Sequence, residues 1–265
     1  MVEYSGSGDP ARSLALLWRT RERTSRKGRP DLGVDRIARA AIEIADTEGL
    51  GALAMRRIAE RLGVGTMTLY TYVPSKAELL DVMLDTVNGE VATEDVPGGW
   101  RARLEHVARE NWALYHRHPW MLHVATIRPV LGPNLMAKYD YELRAVDGIG
   151  LTEIEMDSVL SLVLGFVASA VRGAVEAAQA EQVTGMSDEQ WWGSYAPLLN
   201  RVLDASRFPT ASRVGAAAGA EYGAAHDPAH GFEFGLQRVL DGIEVLVRAR
   251  AAERDAEGAP ADHTD

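Results

Sequence analysis

The 265-residue sequence contains no cysteine, which excludes a disulfide scaffold, a thiolate metal site and a cysteine nucleophile. Aromatic residues make up only 7% of it, and strand-like alternation is almost absent. Long hydrophobic runs are missing too: the longest charge-free apolar stretch lies between Asp157 and Arg172 and holds 14 residues. A bilayer span needs about 18, so this stretch reads as a buried helix and no membrane partner is expected. The patch Leu14–Trp18 is too short for a signal peptide, so a soluble, cytoplasmic protein is expected. There is no Gly-x-Ser-x-Gly, P-loop, dinucleotide fingerprint or His-Glu-x-x-His, and hence no sign of a cofactor. A helical enzyme is left with only scattered histidines and carboxylates in its favour.

Apolar residues form 46% of the chain, enough for a sizeable core in one large or two small domains. The net charge of −10 is unevenly spread. Up to Asn88 there are 13 basic and 12 acidic side chains, and beyond it 15 and 26. Residues 11–30 alone hold seven basic side chains against one acid, Glu22. Phosphate binding depends on local rather than net charge, so this stretch is either a solvated tail or a DNA-binding arm.

Apolar spacing of three and four predicts a first helix over Val34–Glu48, with Gly33 as N-cap and Gly49 ending it. A short helix over Met55–Leu62 stops at Gly63, and another follows over Thr66–Tyr72. Ser75-x-x-Glu78 is a capping box opening a fourth helix. Two short helices joined by a glycine turn and braced by longer ones read as a helix-turn-helix. In Thr66–Tyr72, Leu69 with Val73 supplies the inward anchor. Thr66, Thr68 and Thr71 are left for base edges or phosphates, Met67 for a thymine methyl group, and Tyr70 and Tyr72 for phosphates. Arg56 is placed to reach guanine, and Lys76 opens the next helix, where donors converge on phosphate. Beyond Pro97-Gly98-Gly99, helices are expected near 100–118, 120–127, 133–148, 153–181, 188–206 and 231–252. Residues 208–230, rich in Ala and Gly, are expected to be aperiodic and mobile.

The segment LGALAMRRIAERLGVGTMTLYTYVPSKAELLDVML resembles the DNA-binding signature of the TetR family of bacterial repressors, with helix lengths, turn glycine and following lysine in register. The resemblance implies base reading or groove lining by Arg56, Thr66, Met67, Thr68, Tyr70 and Thr71, and phosphate contact by Tyr72 and Lys76. Ala54 departs from the pattern, standing where many members have a capping Ser or Thr. The C-terminal part is similar to the tetracycline-repressor branch through Trp100, Tyr115–Trp120, Arg128-Pro129, Trp191-Trp192 and Phe232–Leu236.

That likeness implies an all-α protein: a three-helix helix-turn-helix domain, then a C-terminal helical domain for ligand binding and dimerisation. The expected divisions are a flexible basic arm over 1–32, the DNA-binding domain over 33–95, the effector and dimerisation domain over 96–252 and a disordered tail over 253–265. Trp112, Tyr115, His116, Trp120, His123, Arg128 and Phe166 are the candidate effector-lining residues. Ala92 stands where the tetracycline repressor has a drug-binding histidine, so a different ligand without a metal is expected. Small residues at 165, 168, 169, 173, 174 and 177, with a broad apolar face over 231–252, suit a homodimer through those two helices, or internal packing in a monomer. The expected function is a homodimeric repressor released from a palindromic operator by a small molecule. The rivals are the helical enzyme and an architectural DNA-binding protein without effector.

Overall fold

The computed structural model describes residues 3–20, 32–92, 94, 96–126 and 128–258. Eleven helices are found among them: α1 (Pro10–Leu17), α2 (Val34–Glu48), α3 (Met55–Leu62), α4 (Thr66–Tyr70), α5 (Lys76–Asn88), α6 (Trp100–Arg117), α7 (Pro133–Arg144), α8 (Glu153–Thr184), α9 (Asp188–Val202), α10 (Pro209–Tyr222) and α11 (Pro228–Gly258). Two two-residue strands, β1 (Glu3–Tyr4) and β2 (Val124–Ala125), pair in parallel with Glu3 opposite Val124.

Side chains gather into two cores. In the first, Ile37 and Ala41 of α2, Ile58 of α3, Leu69 of α4 and Leu79, Leu80 and Met83 of α5 are buried together. The second joins Leu104 and Val107 of α6, the valine stripe 163, 167, 171 of α8, and Phe232, Leu236 and Leu240 of α11. The chain does not divide cleanly between them. Leu114, Trp120, Met121, Val124 and Val130 belong to the first core, so the end of α6 and the loop after it plug into the helix-turn-helix domain. Residues expected as a helix over 120–127 form instead a 3-10 turn, Pro119–His123, running into β2.

Local chemistry sets the helix ends. Thr152 and Glu155 form a complete capping box on α8, as do Ser187 and Gln190 on α9. Glu155 also holds the Arg250 guanidinium of α11. That pair and the Thr152 cap draw the Glu155 carboxyl down to about 2. Only half of the Ser75 box forms: the serine caps Ala77 and Glu78, while the Glu78 carboxylate accepts from the Ser75 hydroxyl and from the backbone N–H of Asp9.

Three expectations need correction. The arm over 1–32 is not flexible throughout, since residues 3–20 are structured and α1, capped by Asp9, packs on α5. Its arginines at 21, 23, 26 and 29 lie outside the described residues. The stretch 208–230 contains α10: its alanines favour helix, Pro209 starts it and Gly223 ends it in the left-handed conformation. The tail is helical as far as Gly258.

Buried acids on α5 explain how α1 and α7 dock. Asp81 accepts from the Gly6 N–H at 2.9 Å and from Ser13 Oγ at 3.0 Å. Asp85 accepts from the Leu135 N–H at 2.9 Å and Asn134 Nδ2 at 3.2 Å, at the start of α7. Burial pushes both carboxyls above the usual carboxylate range. A raised native value means ionisation is harder in the folded chain. Their contribution to stability is therefore full below about pH 4 and is lost as pH rises through the raised native value. A double Asp81→Asn, Asp85→Asn variant keeps oxygen acceptors but cannot ionise. Its stability relative to the parent is expected to grow with pH across that window, read from urea unfolding at several pH values; a constant difference would refute the assignment.

Candidate nucleic-acid interface and effector site

Helix α4 is held from below and open above. Leu69 and Val73 are fully buried, whereas Met67 is 77% exposed and Thr68, Tyr70 and Thr71 are exposed beside it. Thr66 is half-buried at the first position of the helix. The turn before α4 depends on Gly63, whose φ of +68° closes α3 in a conformation that disfavours side chains. Helix α4 ends at Tyr70, so Thr71 and Tyr72 lie in the turn that follows. The Thr71 hydroxyl donates to Thr68 O, and Tyr72 packs against the first core.

Helix α3 carries no side-chain cap at Ala54, and its hold comes from buried Met55, Ile58 and Ala59. Arg57 and Arg61 pair back to Glu48 and Glu43 of α2 at 2.5 and 2.8 Å. Arg56 points outward and, among the described residues, pairs with Glu60, one turn along. Lys76 opens α5 and its Nζ donates to Glu3 Oε1 at 2.8 Å. Outward threonines, a tyrosine, an arginine and a lysine around one short helix form a surface suited to base edges and phosphates.

In the second core, the structure brings together part of the effector-lining set. The rings of Trp112 and Phe232 stack at 4.1 Å, Phe166 follows Phe232 at 6.1 Å, and His116 lies 4.9 Å from Trp112. Gly235 makes room: a Cβ there would stand 2.5 Å from the Phe166 ring. Burial holds the His116 imidazole below its ordinary range and the Tyr115 phenol above its own, so both are neutral near pH 7. Close by, Glu142 accepts from Lys138 and Asn111, each at 2.6 Å, all three buried. Sequence reasoning missed this trio, although Lys138 and Glu142 stand four residues apart on one helix face.

Three expected members do not join the aromatic cluster. Trp120 is buried in the first core, where its Nε1 donates to Asp46 Oδ1 at 2.8 Å. The 3-10 turn after Pro119 carries it toward α2 rather than into the effector domain. His118 stands beside it, its two ring nitrogens 2.8 and 2.9 Å from carboxylate oxygens of Asp46 and Glu90. His123 and Arg128 are exposed on the following loop, with no ring contact or side-chain hydrogen bond to the cluster among the described residues.

Comparison with known proteins agrees with both halves. A family model for bacterial regulatory proteins of the tetR family matches residues 25–83, and one for the tetracyclin repressor-like C-terminal domain matches residues 93–247. The HTH-type transcriptional repressor DrrR1 of Streptomyces coeruleorubidus is 46% identical over 261 residues, covering 98% of this chain and 93% of that protein. Among solved structures, apo ActR from Streptomyces coelicolor superposes with a TM-score of 0.66 at 27% identity, over 86% of this chain and all of that one. ActR in complex with actinorhodin gives 0.66 at 26% identity, over 82% of this chain and 99% of that one. The chain therefore belongs to the tetR family of bacterial regulatory proteins, as a DNA-binding transcriptional repressor and not an enzyme.

Proposed function

We propose that the protein is a homodimeric repressor that leaves a pseudo-palindromic operator when a small molecule binds between α6, α8 and α11. The observation that carries the reading is α4, pinned by Leu69 and Val73 with its polar and methyl-bearing side chains turned outward. One such helix reads one half-site. Two, about 34–36 Å apart on a dimer, meet successive turns of the major groove.

The outer faces of α8 and α11 support the dimer. Ile154 is 77% exposed and Val245 69%, with Leu162 and Phe234 also open, while Gly165 and Ser169 keep the α8 face shallow. Pairing the two helices with a second copy would cover these groups in a four-helix bundle. Helix α8 is long and apolar enough to cross a membrane by length and composition, but its valine stripe packs on α6 and α11. A cytoplasmic location follows from DNA binding.

For the effector, the stacked Trp112, Phe232 and Phe166 favour a flat unsaturated molecule, with Tyr115 and His116 as hydrogen-bonding groups. That the TetR family protein ActR forms a complex with actinorhodin supports a small-molecule ligand for this chain. No metal is assigned to the site. Selection of bound duplexes from random DNA is expected to yield an inverted repeat occupied by two chains. A compound found by thermal shift should weaken binding to that duplex by the factor by which the duplex weakens binding of the compound. Sequence-indifferent binding, together with no stabilising compound, would favour an architectural protein instead.

A further inference from the structure

Residues 3–18 link α5 to the loop 124–131 that follows α6. At one end, Glu3 and Tyr4 pair with Val124 and Ala125, in the loop that follows α6 and its 3-10 turn. Ser5 continues the ladder, its N–H donating to Ala125 O at 3.1 Å and its hydroxyl to Arg128 O at 2.6 Å. Gly6 then turns the chain with a φ of +61°, its N–H held by Asp81 of α5. Farther along, α1 lies on α5, and Trp18 Nε1 donates to Leu131 O at 2.9 Å. The segment is thus tied alternately to the helix-turn-helix domain and to the loop 124–131.

Glu3 is the first described residue of this strap, and its carboxylate meets Lys76 Nζ at 2.8 Å, both side chains about one-third exposed. Because β1 is fixed by backbone hydrogen bonds, the acid is delivered to Lys76 rather than meeting it by chance. We propose that Glu3 is an intramolecular competitor of the DNA backbone for Lys76, and so an affinity-setting residue of the repressor. This rests on the reading of Lys76 as a phosphate contact. In the free protein the lysine is neutralised by Glu3; on the operator it must turn to phosphate, with the carboxylate left beside a polyanion. The strand partner of Glu3 lies in the loop leading out of the effector-lining helix.

The test uses full-length protein and an inverted-repeat duplex selected from random DNA, with equilibrium binding across a salt series. Glu3→Gln keeps the size of the side chain and removes its charge. It is expected to tighten binding roughly threefold to tenfold per dimer, as two partly exposed ion pairs allow. The dependence of log K on log salt should steepen by up to about one ion per protomer. Lys76→Gln is expected to weaken binding, and in that background Glu3→Gln should bring no gain. If Lys76→Gln weakens binding while Glu3→Gln leaves it unchanged or weaker, competition is refuted and the phosphate contact survives. Should Lys76→Gln leave affinity unchanged, the phosphate contact itself fails and takes the proposal with it.

Discussion

A Thr68→Ala, Tyr70→Ala double variant is expected to lose operator affinity by at least a hundredfold while folding like the parent. Both side chains are exposed on α4, and surface truncations of this kind move stability by only about 0.5 kcal/mol. On a dimer the two substitutions remove four contacts. At about 1 kcal/mol each, the low end for a base-reading contact, the loss approaches a thousandfold. Leu69→Ala makes the contrasting case. It is fully buried and touches no DNA in this reading, so it is expected to cost about 2–5 kcal/mol of stability. Titrating a fluorescent selected duplex, alongside urea unfolding of each variant, separates the two effects. A loss of less than tenfold in the double variant would mean that α4 is not the reading helix.

The parts of the fold that could be read in the sequence are those whose cause is local. Gly63 had to end α3, because a left-handed residue is needed there. Leu69 and Val73 had to face inward, because they are the strongly apolar positions of a short polar segment. The complete capping boxes at Thr152 and Ser187 follow the same logic. What the sequence concealed depends on partners far along the chain. Asp81 and Asp85 look like the solvated edge of an apolar helix. They are buried because Gly6, Ser13, Asn134 and Leu135 arrive from other elements. The pairing of Glu3–Tyr4 with Val124–Ala125 spans two residues on each side, too few for alternation to reveal. Helix α10 was masked by composition, since alanine and glycine carry no apolar face by which a period can be seen. Of the candidate effector-lining residues, Trp112 and His116 of α6 and Phe166 of α8 gather around Phe232, but a single 3-10 turn sends Trp120 elsewhere.

That turn makes Trp120 the largest side chain joining the two halves, and its removal the substitution with the largest expected effect on stability. The indole is 2% exposed, packs in the first core and donates to Asp46 at the end of α2. Asp46 also receives His118, which reaches Glu90 just beyond α5 on its other side. Trp120→Ala opens a cavity and leaves Asp46 short of a donor, for an expected cost of about 3–5 kcal/mol. Trp120→Phe retains most of the packing and loses the hydrogen bond, for about 1–2 kcal/mol. Calorimetry of the alanine variant is expected to show the helix-turn-helix domain melting ahead of the effector domain, because the plug that ties them has gone. Stacking of a ligand on Trp112 and Phe232 should be nearly unaffected at temperatures where the second core remains folded. An alanine variant as stable as the parent but unable to bind effector would place Trp120 back among the pocket residues. The junction between the domains would then rest on Leu114, Met121, Val124 and Val130, together with the docking of α7 on α5.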